Sequence, residues 1–191
     1  MTKEEWFSYW AQEGQHNSST QSSVCTERVW DIVSPKREDT ILYPLCGKGV
    51  LLDWLMERHS NVTAIELSDI PVKSFFSQRF YLPTVTQIDS YTTLYQFDEL
   101  SLYVGDIFHV PLSRYDVVYE QDGFDSLDES EWPLYAQKLE SLVAESGKLC
   151  IVFGKERAFS PVRGNVFFGH LNRTEIRIND TQELVWIITL D

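Results

Sequence analysis

The stretch Thr40-Ile41-Leu42-Tyr43-Pro44-Leu45-Cys46-Gly47-Lys48-Gly49-Val50-Leu51-Leu52-Asp53-Trp54-Leu55-Met56 reads as a strand, a tight loop and a helix. Four β-favouring residues stop at Pro44, glycines follow at 47 and 49, and from Val50 the apolar residues take helical spacing. Val62-Thr63-Ala64-Ile65-Glu66-Leu67 then reads as a second strand, and Ser68 and Asp69 are caps for a helix through Val72-Lys73-Ser74-Phe75-Phe76. Further short strands are expected at Leu100–Val104 and Asp116–Tyr119, a helix over Trp132–Val143, and a strand apolar enough to be covered on both faces at Lys148–Phe153. Alternating β and α units imply an α/β fold with a mostly parallel sheet and helices on both faces. The end differs: Thr174–Ile178 alternates, Asn179-Asp180 signals a turn and Leu184–Leu190 is apolar again, so a terminal antiparallel hairpin is expected.

At 191 residues the chain suits one domain, and 43% hydrophobic content suits a packed core. A net charge of -13 disfavours nucleic acid, whose phosphates need clustered Lys and Arg. Cys25, Cys46 and Cys150 are scattered, without zinc-type pairing or a disulfide framework, and read as reduced thiols. The first residues lack an apolar signal core, and no run approaches the ~18 apolar residues needed to span a bilayer. A cytoplasmic monomer with a small-molecule partner, and with neither nucleic acid nor membrane, is expected. Residues 1–37 look helical but unlike a core, with Trp6 and Trp10 on one helix face before the polar stretch Gly14–Ser23. They form a candidate lid with a hinge, over a sheet core at 38–191.

In open α/β sheets ligands collect at the carboxyl ends of the strands, which directs attention to the loop after Tyr43. Gly47 and Gly49 let backbone approach a ligand closely. The loop lacks both the phosphate-cradling pattern and the dinucleotide fingerprint, so a plain structural turn stays open. Glu66 follows Gly47 by 19 positions and can accept from both hydroxyls of a ribose, whether in a nicotinamide dinucleotide or in adenosylmethionine. A solvated strand-end acid is the plainer alternative. Asp106 can accept from an adenine amino group with Ile107 packed on the ring; it suits a turn or helix cap equally well. His16, His59, His109 and His170 show no metal or triad spacing and read as structural or surface residues.

Together Trp6-x-x-x-Trp10, Tyr43-Pro44-Leu45-Cys46-Gly47-Lys48, Ala64-Ile65-Glu66-Leu67-Ser68, Phe75-Phe76 and Asp106-Ile107-Phe108 resemble the thiopurine S-methyltransferase family, from the N-terminus to about Val152. The resemblance implies a class I methyltransferase with a seven-stranded Rossmann-like sheet and S-adenosylmethionine as cofactor. It carries cofactor roles onto Trp6, Trp10, Leu45, Gly47, Glu66, Leu67, Asp106, Ile107 and Gln121, the two tryptophans closing over the bound cofactor. The implied acceptor is a thiol or a related selenium or tellurium compound, and no metal is involved. A binding protein that has lost catalysis and a nicotinamide-dependent reductase are the competing readings. The chain departs from the family where acceptors bind. The family's Asp-Arg after the fourth strand is Glu120-Gln121 here, followed by Asp122, so a cation is lost and an anionic acceptor should bind less well. The Gly-Pro-Pro-Phe segment becomes Arg163-Gly164-Asn165-Val166-Phe167-Phe168, where Arg163 either replaces that cation or lies solvated on the surface. Phe7, Phe124 and Phe167 are candidate acceptor walls, each also suited to the core. Asp122 is the one candidate general base.

Overall fold

The structure is a computed structural model that describes residues 3–13, 22–154, 157–178 and 183–190. The sequence-predicted hinge, up to Gln21, and the Asn179-Asp180 turn lie outside the described residues, as does His16.

Two helices, α1 (Lys3–Glu13) and α2 (Ser22–Val33), precede the sheet. The loop-and-helix rhythm then runs β1 (Thr40–Tyr43), α3 (Leu52–Arg58), β2 (Asn61–Glu66) and α4 (Asp69–Gln78), with the Ser68 hydroxyl capping α4 through the Ile70 amide. After β3 (Thr84–Gln87), β4 (Thr93–Phe97) and β5 (Leu100–Val104) come β6 (Tyr115–Gln121), the short turn of helix α5 (Gly123–Ser126) and α6 (Trp132–Ser141). The chain finishes with β7 (Val143–Phe153), α7 (Pro161–Phe168), β8 (Arg173–Ile178) and β9 (Glu183–Thr189).

The sheet order is β3-β4-β5-β2-β1-β6-β7-β9-β8. The seven strands from β5 to β8 in that order are the expected core: β5, β2, β1, β6 and β7 are parallel neighbours, and β9 runs antiparallel between β7 and β8. The predicted terminal hairpin is therefore present. Two further strands extend the sheet, because β3 and β4 form an antiparallel hairpin that pairs with β5 in register Leu94↔Tyr103.

Apolar faces on both sides of the sheet are covered, as the continuous apolar runs of β1 and β7 require. One core joins α2, α3 and α4 through Val29, Leu55 and Phe75; the other joins α5, α6 and α7 through Phe124, Leu139 and Phe168. The place of α2 corrects the reading of residues 1–37 as unlike a core. Cys25, Val29, Trp30 and Val33 are buried, the Thr26 and Tyr119 hydroxyls are 3.0 Å apart, and the Trp30 indole donates to His59 Nε2 at 2.7 Å. His59 Nδ1 in turn lies 2.9 Å from the Lys36 carbonyl, and burial lowers its pKa, so it is a neutral structural histidine. All three cysteines are buried free thiols. Among the described residues no helix is long and apolar enough to cross a membrane.

Candidate active site

The topological switch lies at β1, whose neighbours β2 and β6 lead away in opposite directions, and the candidate residues gather at the carboxyl ends of these strands. The loop after β1 turns sharply, with Leu45, Gly47 and Gly49 at φ of 48°, 54° and 63°. At Gly49 that left-handed backbone coincides with a close approach: an added Cβ would lie 2.6 Å from Leu52 Cδ1, so only glycine fits. The Cys46 amide bonds to the Ile65 carbonyl at 2.9 Å and ties the loop to the end of β2.

Glu66 is wholly buried at that end. Its Oε1 accepts from the Trp6 indole at 2.8 Å and from the Ser68 amide at 2.9 Å, and its Oε2 accepts from the Gly47 amide at 3.1 Å. Burial raises its pKa, while the Ser68, Trp6, Gly47 and Leu67 donors pull it back. Trp10 packs on the same loop, its ring 3.6 Å from where a Cβ on Gly47 would stand. The α1 helix thus lies across the carboxyl ends of β1 and β2 through both predicted tryptophans.

The next strand end carries Asp106, and the structure gives it the cap role: Oδ1 accepts from the Phe108 amide at 3.1 Å and Oδ2 lies 2.9 Å from His109 Nδ1. Asp106 also lines a cleft of about 480 Å³ with Leu67, Tyr91, Thr92 and Phe7. Phe7, a candidate acceptor wall, lines this cleft. Ile107 is buried in the second core. Tyr91, Thr92 and Asp89 were missed by sequence reasoning; the β3–β4 hairpin presents them, and the Asp89-Ser90 turn between Thr-rich runs is the signal that could have found them.

At the end of β6 the Gln121 side-chain oxygen is buried without a hydrogen-bond partner among the described residues. Asp122 takes a left-handed backbone (φ 64°), and its Oδ1 pairs with Arg157 Nη2 at 3.0 Å. Burial raises the Asp122 pKa and Arg157 opposes the rise. A cation therefore does stand beside this loop, but it is Arg157, which sequence reasoning passed over. Arg163 lies on α7; its guanidinium is 2.5 Å from Glu129 and 5.0 Å from the Trp132 ring centre, which directs it to the α6 side. Phe124 takes the core alternative. It is 1% exposed and stacked 3.7 Å from Phe159, a core ring, and Phe167 packs behind it at 6.4 Å. Among the described residues no group of His, Cys, Asp or Glu is arranged to hold a metal.

These strand ends offer a buried carboxylate, an adjoining cleft and two polar atoms without a hydrogen-bond partner among the described residues, the Gln121 oxygen and the Trp10 indole N–H. Comparison with known proteins agrees with the fold and extends it. The profile of the family described as Thiopurine S-methyltransferase (TPMT) matches residues 1–161. A protein named thiopurine S-methyltransferase from Aliivibrio fischeri is 41% identical over 154 residues, 80% of this chain and 71% of that one. One of the same name from Vibrio vulnificus is 46% identical over 125 residues, 65% of this chain and 58% of that one. Among solved structures, a TehB-like SAM-dependent methyltransferase from Corynebacterium glutamicum superposes with a TM-score of 0.65 at 16% identity, covering 99% of this chain and 98% of that one. Magnesium protoporphyrin IX methyltransferase from Synechocystis gives 0.67 at 13% identity, covering 99% and 97%.

Proposed function

We propose, from the premise that this chain belongs to the thiopurine S-methyltransferase family and is an S-adenosylmethionine-dependent methyltransferase, that its acceptor is a small thiol or related chalcogen compound. The observation that carries the cofactor assignment is Glu66, a carboxylate wholly buried at the end of β2 beside the Gly47 loop. The residues fit the cofactor end by end. Glu66 accepts from the ribose hydroxyls, and the cleft at Leu67, Asp106 and Phe7 takes the adenine, with Ile107 as its floor. The amino-acid end carries an ammonium and a carboxylate, which match the Gln121 oxygen and the Trp10 indole N–H, both without a partner among the described residues. Leu45 and Gly47 shape the wall between them, and α1 acts as the lid.

The cofactor supplies a methyl group already activated on a sulfonium, so this chain's residues need only align the acceptor and exclude water. A soft sulfur nucleophile that arrives ionised needs no general base. Asp122, the base candidate, is held by Arg157, and the pair marks the acceptor side of the site. Binding to adenosylhomocysteine and turnover of adenosylmethionine with a panel of alkyl and aromatic thiols test the proposal together. Glu66→Gln should weaken adenosylhomocysteine about ten- to a hundredfold, the worth of hydrogen bonds to a charged group. Tight adenosylhomocysteine binding with no methylation of any thiol would sink the acceptor reading, and a melting-temperature rise with a nicotinamide dinucleotide instead would sink the cofactor assignment.

A further inference from the structure

Glu120 is a second buried acid, one residue before the orphaned Gln121 oxygen, and none of the roles above uses it. It is 1% exposed at the end of β6, and its Oε1 accepts from the Phe124 amide at 3.1 Å across the turn that carries Gln121 and Asp122. The contact is closely built. A Cβ added at Gly123 would stand 2.4 Å from Glu120 Oε1 and 2.6 Å from the Tyr135 hydroxyl, so the carboxyl, the glycine and the phenol occupy one point with no room for a methyl group. Asp122 between them holds a left-handed backbone that an L residue adopts only when its surroundings enforce it. The bond from Glu120 to the far side of the turn supplies that enforcement.

We propose that Glu120 is a positioning residue of the methyl-transfer reaction: its buried carboxyl clamps the Gln121–Phe124 turn and so sets the Gln121 amide and the Asp122–Arg157 pair where cofactor and acceptor meet. The inference rests on the cofactor assignment of Gln121 made above. A carboxyl with this little access to water carries a proton at neutral pH; burial pushes the Glu120 pKa up to about 8, against the Phe124 and Gly123 amides, which stabilise the anion. The groups that face it are Asp122 and Asp125 on its own segment, Tyr135 on α6 and Tyr43 on β1. Both phenols are raised above their ordinary range by burial and stay neutral, so Glu120 is the buried group that changes charge there. Its ionisation leaves an unhydrated charge facing Asp122 and Asp125, a cost that the Phe124 and Gly123 amides offset only in part, so the turn opens to let water reach the carboxylate.

The test follows the affinity of the full-length protein for adenosylhomocysteine against pH, in the wild type and in Glu120→Gln, which fixes the uncharged form. In the wild type the affinity should fall about tenfold between pH 7 and pH 9, as one proton is lost. In Glu120→Gln it should fall only by what the ligand's own amino group contributes, which is common to both proteins. An identical fall in both overturns the proposal. Should the variant fail to fold, the infrared carbonyl band of the protonated carboxyl in the wild type decides: band and affinity must be lost together, and either one lost without the other overturns it. Methylation of an aromatic thiol that is ionised throughout the range, measured in parallel, separates the two readings. Absence of turnover with this pH dependence intact removes the thiol acceptor alone.

Discussion

At Glu66 the ordinary capacity of a carboxylate is already taken up. About four lone-pair directions are available, and the Trp6 indole, the amides of Ser68 and Gly47, and the adjoining Leu67 amide all converge on it. A ribose diol must displace or share the place of one of these donors, and the backbone donors are fixed by the strand end and its loop. The Trp6 side chain is the donor that can leave. Trp6→Phe, which cannot make this bond, should therefore speed adenosylhomocysteine association by roughly tenfold, the worth of a hydrogen bond to a charged group. Stopped-flow tryptophan fluorescence checks this, and a slower association would show that Trp6 stays on Glu66 as the ligand enters. The acid itself was legible in the sequence, since it ends a strand 19 positions after Gly47. Its partner was not, because a contact spanning 60 residues depends on how α1 lies across the sheet, which no local pattern encodes.

The two N-terminal helices look alike in sequence and differ in place. Cys25, Val29 and Trp30 of α2 are core residues, whereas α1 leaves Phe7 45% exposed and touches the sheet at the site. Removing residues 1–13 should leave a cooperatively folding protein whose adenosylhomocysteine affinity is lost by about tenfold or more, and removing residues 1–33 should abolish folding, because several large apolar side chains lose their partners at ~1.5–3 kcal/mol each. Circular dichroism melts and calorimetric titration of both truncations are the check; an unchanged affinity without α1 would remove the lid. Strands with continuous or alternating apolar runs were readable from the chain, down to the Thr40–Tyr43 and Leu100–Val104 boundaries. The β3–β4 hairpin escaped because β3 is an exposed edge with no buried face to create a period. The α7 helix escaped because Gly164 interrupts it, although that glycine is what brings its backbone against Phe153 and Trp186, each 3.0 Å from an added Cβ.

Over the whole molecule the net charge of -13 acts on every ligand that approaches, and the turn proposed to meet the acceptor offers Arg157 only as one half of an ion pair with Asp122. Thiols that carry a carboxylate should therefore be poorer acceptors than neutral ones, with a kcat/KM that rises roughly two- to fivefold between low salt and 0.3 M as the repulsion is screened. A neutral thiol should show no such rise, and equal salt responses would place the field outside the reaction. The acidic balance was plain from composition, while the pairing that neutralises Arg157 could not be read, since Asp122 and Arg157 meet only after β6 and β7 are laid side by side. The three thiols have a consequence of their own. Cys25, Cys46 and Cys150 are sealed in the interior, and burial pushes the pKa of Cys150 up to about 12 and raises those of Cys25 and Cys46 as well, so none offers a thiolate near neutral pH. Alkylating reagents, disulfides and selenium or tellurium electrophiles therefore find no cysteine thiolate to modify near neutral pH, and a protein whose proposed acceptors are thiols can meet their oxidised forms without losing a cysteine.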